Sequence, residues 1–127
     1  DIESGCEFVL DCFRNMTGGE LFIPKVPSMS IMDLAKTIDS TCKTKIVGIR
    51  PGEKLHEILL SSDDARNTLE CDKYYIILKN NKALLKRISE KKGVAVNEGF
   101  EYSSKTNSWF MSEAEMRELI SRYKQNV

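Results

Sequence analysis

The alternation of helical and extended apolar patterns is the strongest constraint that this sequence places on its fold. From residue 2 to residue 16, apolar side chains recur every three or four positions, as on one face of an amphipathic helix: Ile2, Cys6, Val9, Leu10, Phe13 and Met16. Gly18 with Gly19 predicts the end of this helix. Residues 21–23 then predict a short strand, which ends at Pro24 and Pro27 because proline cannot donate to a central ladder.

The alternation continues to the end of the chain. Ser30 and Ser112, each followed three residues later by an acidic residue, predict the capped starts of two more helices. Residues 45–49 and 74–78 predict strands, since β-branched and aromatic side chains favour extended backbone. The expected buried faces of the two helices are Ile31, Leu34, Ala35 and Ile38, then Met116, Leu119, Ile120 and Tyr123. The pattern predicts an α/β fold of mixed short strands with flanking helices, in one domain over residues 1–127. With only three clear strands, the sheet is either small or completes a sheet supplied elsewhere.

Composition excludes several classes of partner and site. The 19 basic and 19 acidic residues cancel, so we expect neither nucleic acid nor a membrane as partner. No apolar run is long enough to span a bilayer. The four cysteines form no Cys-x-x-Cys pair and only one histidine is present, so no metal site is expected. We expect free, mostly buried thiols in a reducing compartment.

The turn that follows residues 45–49 carries the most chemistry. An extended segment leads into Arg50, and Pro51-Gly52 then reverses the backbone so that Glu53 returns to the same side. A guanidinium offers a planar fork of donors to phosphate oxygens, and an ionised carboxylate accepts from vicinal hydroxyls. The pair suits a diphosphate beside a ribose. From the residues alone, an ordinary surface turn with a solvated ion pair is the more common interpretation.

Other candidate residues leave two interpretations open. His56 either contacts a ligand or is structural, and Lys25, between two prolines, either reaches a phosphate or is simply solvated. The basic stretch 82–92 is interpreted as a solvated, partly helical segment, with a phosphate contact as the alternative. Trp109 and Phe110 are expected to pack the last helix onto the body of the fold, with base stacking as the alternative.

Four segments resemble one enzyme family. Residues 48–57 read Gly-Ile-Arg-Pro-Gly-Glu-Lys-Leu-His-Glu, and residues 18–29, 63–68 and 98–107 continue the likeness in order. Together they resemble the inverting UDP-N-acetylglucosamine 4,6-dehydratases, which are extended short-chain dehydrogenases. The resemblance implies a small C-terminal substrate-binding subdomain whose Rossmann half is missing. The chain also opens in mid-pattern, so we expect a fragment of a longer, cytoplasmic enzyme of surface polysaccharide biosynthesis.

The resemblance also implies roles for individual residues. Arg50 is expected to contact the diphosphate and Glu53 the ribose of a UDP-sugar, with His56 and Lys25 as possible further contacts. NAD(P) belongs to the parent enzyme and no cofactor to this chain. The expected partners are the UDP-sugar and either the missing Rossmann domain or a second copy of the chain.

The chain departs from this family in the residues that carry catalysis. It lacks the glycine-rich Gly-x-x-Gly-x-x-Gly turn, and Tyr75 with Lys79 only formally matches the Tyr-x-x-x-Lys pair. In a strand, residues four apart are about 13 Å from each other, whereas the pair requires a helix. No catalytic residue is therefore assigned, and we expect no activity from this chain alone. The alternatives are a non-enzymatic module that docks on a nucleotide-binding partner, or a small enzyme that uses Glu53, His56 and Glu57.

Overall fold

A computed structural model describes residues 2–90 and 92–124. The Cα positions divide into two compact units, unit 1 with Asp1–Lys25 and Ile58–Tyr102, and unit 2 with Val26–Glu57 and Ser103–Val127. Helices and short antiparallel strands alternate along the chain, which confirms the predicted mixed α/β class. The assignment of residues 1–127 to a single domain stays a prediction.

Unit 1 contains a four-stranded antiparallel sheet in the order β1-β4-β3-β5. Its strands are β1 (Leu21–Pro24), β3 (Thr68–Glu70), β4 (Tyr74–Ile77) and β5 (Val94–Ala95). In register, Phe22 of β1 and Leu69 of β3 both face Ile76 of β4. A second sheet pairs β2 (Ile58–Leu60) with β6 (Tyr102–Ser103). The predicted strands at 21–23 and 74–78 are confirmed, and 58–60 is extended.

The core of unit 1 occupies both faces of this sheet because successive strand side chains point to opposite sides. Leu69, Ile76 and Leu78 form one cluster with partly buried Phe22 and Leu84. The other cluster consists of Ile23, Leu60, Tyr75 and Tyr102, with Phe100 against it. Leu69 and Ile76 are 0% exposed, so the burial of these two strand residues stabilises the unit.

The first predicted helix forms as α1 (Ile2–Asn15), but its apolar stripe is exposed. Ile2, Val9 and Phe13 are 81%, 50% and 67% exposed, so the described residues leave this apolar face uncovered. The helix contacts its own unit through Phe8, whose ring lies edge-on to Tyr74 with centroids 6.2 Å apart. Periodicity groups residues on one face, but it does not determine which face meets the unit.

A buried ion pair connects α3 (Asn81–Ser89) to Glu20, which lies between α1 and β1. Arg87 donates from Nη2 to Glu20 Oε1 at 2.8 Å and to the carbonyl of Asn15 at 2.9 Å. The two charged side chains are only 9% and 3% exposed. The stretch 82–92 is partly helical, as expected. Arg87 is buried, so it is an exception to the predicted solvation of this stretch, and Lys91 lies outside the described residues.

Unit 2 contains two packed helices, α2 (Ile31–Ile38) and α4 (Glu113–Lys124). Ser30 caps α2 by accepting from the Asp33 N–H at 3.3 Å. At the start of α4, Ser112 and Glu115 exchange the two bonds of a capping box. Both predicted caps are confirmed, because they need only residues that are near in sequence. The expected buried faces are only partly correct: Met116 is 3% exposed, but Ile31, Ile38 and Tyr123 are exposed.

One further sequence expectation is wrong in unit 2, and another stays a prediction. Residues 45–49 form no strand, and Ile46 is 91% exposed. Within the described ranges no strand pairs with this segment, so its backbone has no ladder to join, and Gly48 has a left-handed φ of +83°. Trp109 and Phe110 are about half exposed, and the Ser28 N–H donates to the Trp109 carbonyl at 2.9 Å. That their side chains pack the last helix onto the body of the fold stays a prediction.

The length of the helices and the exposure of the cysteines bear on two further expectations. Across residues 2–90 and 92–124, no helix combines the length and the apolar character that crossing a bilayer requires. All four cysteines are free, but Cys6 is exposed and the other three are partly buried. The expectation of mostly buried thiols is therefore wrong, because Cys6 lies on the exposed stripe of α1.

Candidate functional site

The turn between Arg50 and Glu53 is well formed in unit 2. The Glu53 N–H donates to the Arg50 carbonyl at 3.0 Å, which closes a four-residue β-turn. Pro51 occupies its second position, and Gly52 has φ of +86° at its third. This is the combination of a type II turn, in which the third residue needs a left-handed conformation that glycine adopts without strain. The predicted reversal of the chain at this point is confirmed.

The turn brings the two predicted contact residues together. Glu53 Oε2 accepts from the Arg50 N–H at 2.8 Å, and Glu53 Oε1 lies 3.7 Å from Arg50 Nη1. The side chains are 76% and 49% exposed, so neither is enclosed by hydrophobic neighbours. An exposed ion pair of this length contributes little to stability. In the described structure Glu53 is the only side chain paired with the guanidinium, so most of its donors are available to a ligand.

His56 lies just after this turn and is held in place by Ser104. His56 Nδ1 is 3.2 Å from Ser104 Oγ, which also accepts from the Glu57 N–H at 3.2 Å. The Ser104 N–H in turn donates to the Glu57 carbonyl at 2.9 Å. The sequence alone predicts no role for Ser104, because a contact between residues 48 positions apart leaves no local signal.

The segment that carries Ser104 is itself a supported turn. The N–H groups of Thr106 and Asn107 both donate to the Ser103 carbonyl, at 3.2 and 2.9 Å. The Asn107 side-chain amide donates to the Val26 carbonyl at 2.9 Å and to the Ser28 hydroxyl at 3.0 Å. Ser104 is therefore presented on a hydrogen-bonded platform rather than on a loose loop.

Lys25 is engaged within unit 1. Its ammonium forms an ion pair with Glu70 at 2.7 Å and lies 5.1 Å from the centre of the Tyr75 ring. An ammonium over an aromatic face is stabilised by the ring quadrupole. Lys25 is therefore more than a solvated side chain, and a phosphate contact would have to compete with Glu70.

The Gly18-Gly19 turn does not fit a dinucleotide phosphate. Its amides already bind an anion of the chain itself, because Glu20 accepts from the N–H groups of Thr17 and Gly18 at 3.0 and 2.6 Å. The Thr17 hydroxyl and Arg87 donate to the same carboxylate. Burial acts to raise the pKa of the Glu20 carboxyl, but these hydrogen bonds outweigh it and lower the pKa to about 2.

Neither a catalytic pair nor a metal cluster is assembled by the described residues. Tyr75 is buried in β4, where its ring packs against Tyr102 at 5.1 Å and Phe100 at 5.3 Å between centroids. Since Tyr75 lies in a strand, its spacing to Lys79 does not form the helical Tyr-x-x-x-Lys arrangement, as expected. Over the described ranges, no group of three or more His, Cys, Asp or Glu side chains is placed to hold a metal ion.

Known proteins are similar to almost all of this chain. The inverting UDP-N-acetylglucosamine 4,6-dehydratase of Campylobacter jejuni serotype O:2 is 46% identical over an alignment of 127 positions, which covers 94% of this chain and 38% of that protein. A UDP-glucose 4-epimerase of Rickettsia canadensis is 36% identical over 73 residues, which cover 54% of this chain and 21% of that protein. The first match confirms the predicted resemblance. The chain spans little more than a third of the dehydratase, so activity of the whole protein is a matter for proposal.

The fold also has a counterpart among solved structures. The X-ray structure of Pen from Bacillus thuringiensis matches with a TM-score of 0.72 and 23% identity, over 96% of this chain and 35% of that one. At this identity the likeness concerns the fold alone. A family model described as polysaccharide biosynthesis protein matches residues 1–79. Since that match covers more than half of the sequence, the chain belongs to the polysaccharide biosynthesis protein family.

Proposed function

We propose that this chain is the UDP-sugar-binding part of a UDP-N-acetylglucosamine 4,6-dehydratase or related epimerase. One observation carries the proposal: the exposed type II turn that holds the Arg50 guanidinium beside the Glu53 carboxylate. The 46% identity to a Campylobacter jejuni dehydratase supports the choice of ligand. The relatives include UDP-glucose 4-epimerases, so a sugar nucleotide is the common chemistry.

The proposed contacts follow from the chemistry of the two side chains. The Arg50 fork donates to oxygens of the diphosphate, where a planar guanidinium forms charge-assisted bonds. Glu53 already accepts one backbone N–H, and a carboxylate has further lone pairs for the ribose hydroxyls. Because one turn holds Arg50 and Glu53 next to each other, the diphosphate and the ribose are bound side by side.

The proposed role lies in surface polysaccharide or glycan biosynthesis, with the redox chemistry supplied elsewhere. In the enzymes that the sequence resembles, NAD(P) and the Tyr-x-x-x-Lys pair belong to a Rossmann domain. The described residues offer no dinucleotide cradle at the Gly18-Gly19 turn and no helical Tyr-Lys pair. We therefore expect the chain alone to bind the substrate weakly and to convert none of it.

The exposed stripe of α1 supports a docking partner for unit 1. Ile2, Val9 and Phe13 present apolar surface to solvent on a helix whose other side contacts the unit. A contiguous exposed apolar face marks an interaction surface. We propose that the nucleotide-binding domain covers it, whether on the same polypeptide or as a separate protein. This also accommodates the alternative of a non-enzymatic docking module.

Calorimetry on the isolated chain tests the ligand. UDP-N-acetylglucosamine is titrated into the wild type, Arg50→Ala and the control Arg66→Ala, which removes another exposed arginine outside the turn. Loss of a charge-assisted contact is expected to weaken binding about tenfold for Arg50→Ala only. Equal heats for the wild type and Arg50→Ala would remove Arg50 from the site.

A hybrid enzyme tests the role in catalysis and the docking surface together. The matched region of the Campylobacter jejuni dehydratase is replaced by this chain, and turnover of UDP-N-acetylglucosamine is measured. We expect the hybrid to be active and Arg50→Ala to raise its KM. Phe13→Glu is expected to prevent the nucleotide-binding domain from packing on α1. An active, fully assembled Phe13→Glu hybrid would contradict docking through α1, and an inactive but folded hybrid would contradict the proposed reaction.

A further inference from the structure

Ser104 connects residues 56–57, which follow the candidate turn, to the platform of residues 103–107. Its hydroxyl lies 3.2 Å from His56 Nδ1 and accepts the Glu57 N–H at 3.2 Å, while its own N–H binds the Glu57 carbonyl at 2.9 Å. Ser104 thus restrains both the imidazole of His56 and the backbone of Glu57. Neither the predicted roles of Arg50 and Glu53 nor the comparisons account for this arrangement.

The hydrogen-bond partners of the Ser104 hydroxyl favour one tautomer of the neutral His56 ring. The Ser104 hydroxyl has one hydrogen to donate, and its other contact, the Glu57 N–H, is itself a donor. Among the described residues, His56 Nδ1 is the one acceptor that the structure places near this hydroxyl. When the hydroxyl donates to Nδ1, its hydrogen has an acceptor within the protein and the neutral ring carries its own hydrogen on Nε2.

Nε2 is free to meet a ligand. The His56 side chain is exposed, and no partner for Nε2 occurs in the described part of the chain. His56 follows Glu53 by three residues, so their Cα atoms are at most about 11 Å apart even in a fully extended chain. That span is comparable with the length of a nucleotide diphosphate sugar, so one ligand can reach both side chains.

We infer that Ser104 is a positioning residue that holds His56 with Nε2–H as a third donor to the sugar nucleotide bound by Arg50 and Glu53. The inference rests on the proposed function and extends it to a specificity-determining contact. A neutral N–H donor matches a sugar hydroxyl or carbonyl oxygen as well as a phosphate oxygen. Nε2–H can therefore donate to the sugar or to the diphosphate of the ligand.

The single histidine allows a direct spectroscopic test of the first half. Long-range 1H–15N NMR of the neutral ring reports which nitrogen is protonated and whether the other accepts a hydrogen bond. We expect a protonated Nε2 and a hydrogen-bonded Nδ1 in the wild type and in Ser104→Thr. In Ser104→Ala the Nδ1 signal is expected to move to the value of a solvated imidazole. A wild-type Nδ1–H tautomer, or an unchanged signal in Ser104→Ala, would overturn the positioning role.

The second half is tested by NMR titration with UDP-N-acetylglucosamine. His56→Ala is expected to bind about tenfold more weakly, since the loss of one hydrogen bond to a ligand typically lowers its affinity by about this factor. His56→Gln, which keeps an N–H donor, and Ser104→Thr should retain most of the affinity, and Ser104→Ala should lose part of it. Ser108→Ala is the matched control, because this exposed serine makes none of these contacts.

The outcomes separate this inference from the proposed function. If Arg50→Ala loses binding while His56→Ala binds like the wild type, the contact from Nε2 is refuted and the proposed function stands. If the wild type shows no binding at all, the proposed function fails for this chain and the ligand contact fails with it. The tautomer measurement needs no ligand, so it decides the role of Ser104 in either case.

Discussion

Replacing Glu20 by glutamine is expected to destabilise unit 1 by about 3 kcal/mol at neutral pH. Folding lowers the pKa of this carboxyl from 4.5 to about 2, and at about 1.4 kcal/mol per pH unit the difference is worth about 3 kcal/mol. The Glu20 side chain is 3% exposed, so solvent screening reduces this value little. Removing one partner of a buried pair independently costs about 3–5 kcal/mol, because Arg87 would be left buried without its counter-ion.

The pH dependence provides the sharper part of this prediction. Because the pKa is lower in the folded state, the stabilisation is complete above the unfolded value of 4.5 and is lost as pH falls towards 2. The free-energy difference between the wild type and Glu20→Gln should therefore shrink between about pH 5 and pH 2. Urea unfolding followed by circular dichroism at pH 7, 5 and 3 measures it.

Two further variants control this experiment. Glu113→Gln breaks an exposed pair with Arg117 and should change stability by less than about 0.5 kcal/mol. Glu20→Gln combined with Arg87→Met should recover part of the loss, because no unpaired charge stays buried. An unfolding midpoint for Glu20→Gln equal to that of the wild type at pH 7, or a pH-independent difference, would refute the reasoning.

Five other substitutions give direct expectations, and two of them serve as matched controls. Gly93→Ala should lower the free energy of unfolding in urea by about 1–3 kcal/mol, since φ is +141° and the new Cβ would lie 3.0 Å from a backbone oxygen. Gly99→Ala, whose Cβ would meet open space, should lower it by about 1 kcal/mol. Ile76→Ala should lose about 2–5 kcal/mol, and Ile46→Ala almost nothing, because these side chains are 0% and 91% exposed. Gly52→Ala should weaken UDP-N-acetylglucosamine binding in calorimetry, because alanine strains the left-handed position of the turn; unchanged binding would contradict this.

Most helices and two of the strands could be predicted because their signals are local. The cap of Ser30 on α2 and the capping box of Ser112 and Glu115 need only residues three positions apart. Strands β3, β5 and β6 were missed because each has only two or three residues and lacks an alternating pattern. The strand predicted at 45–49 has the right composition but no neighbour among the described residues to pair with.

The candidate site was predictable in part. Arg50 and Glu53 were identified because one turn brings them together, and their roles towards a ligand stay predictions. The environment of Lys25 was not predictable, since its partner Glu70 lies 45 residues away. His56 had two open interpretations, and only the contact with Ser104 shows what holds its ring.

By itself, the sequence determined the features that depend on neighbouring residues: the helices with their caps, the turn at Pro51-Gly52 and the family resemblance. The tertiary structure decided which surfaces are covered. It left the stripe of α1 exposed, buried Arg87 against Glu20, and placed Ser104 beside His56. The physical reason is that periodicity and turn chemistry act over a few residues, whereas burial and ion pairing depend on residues that are distant along the chain.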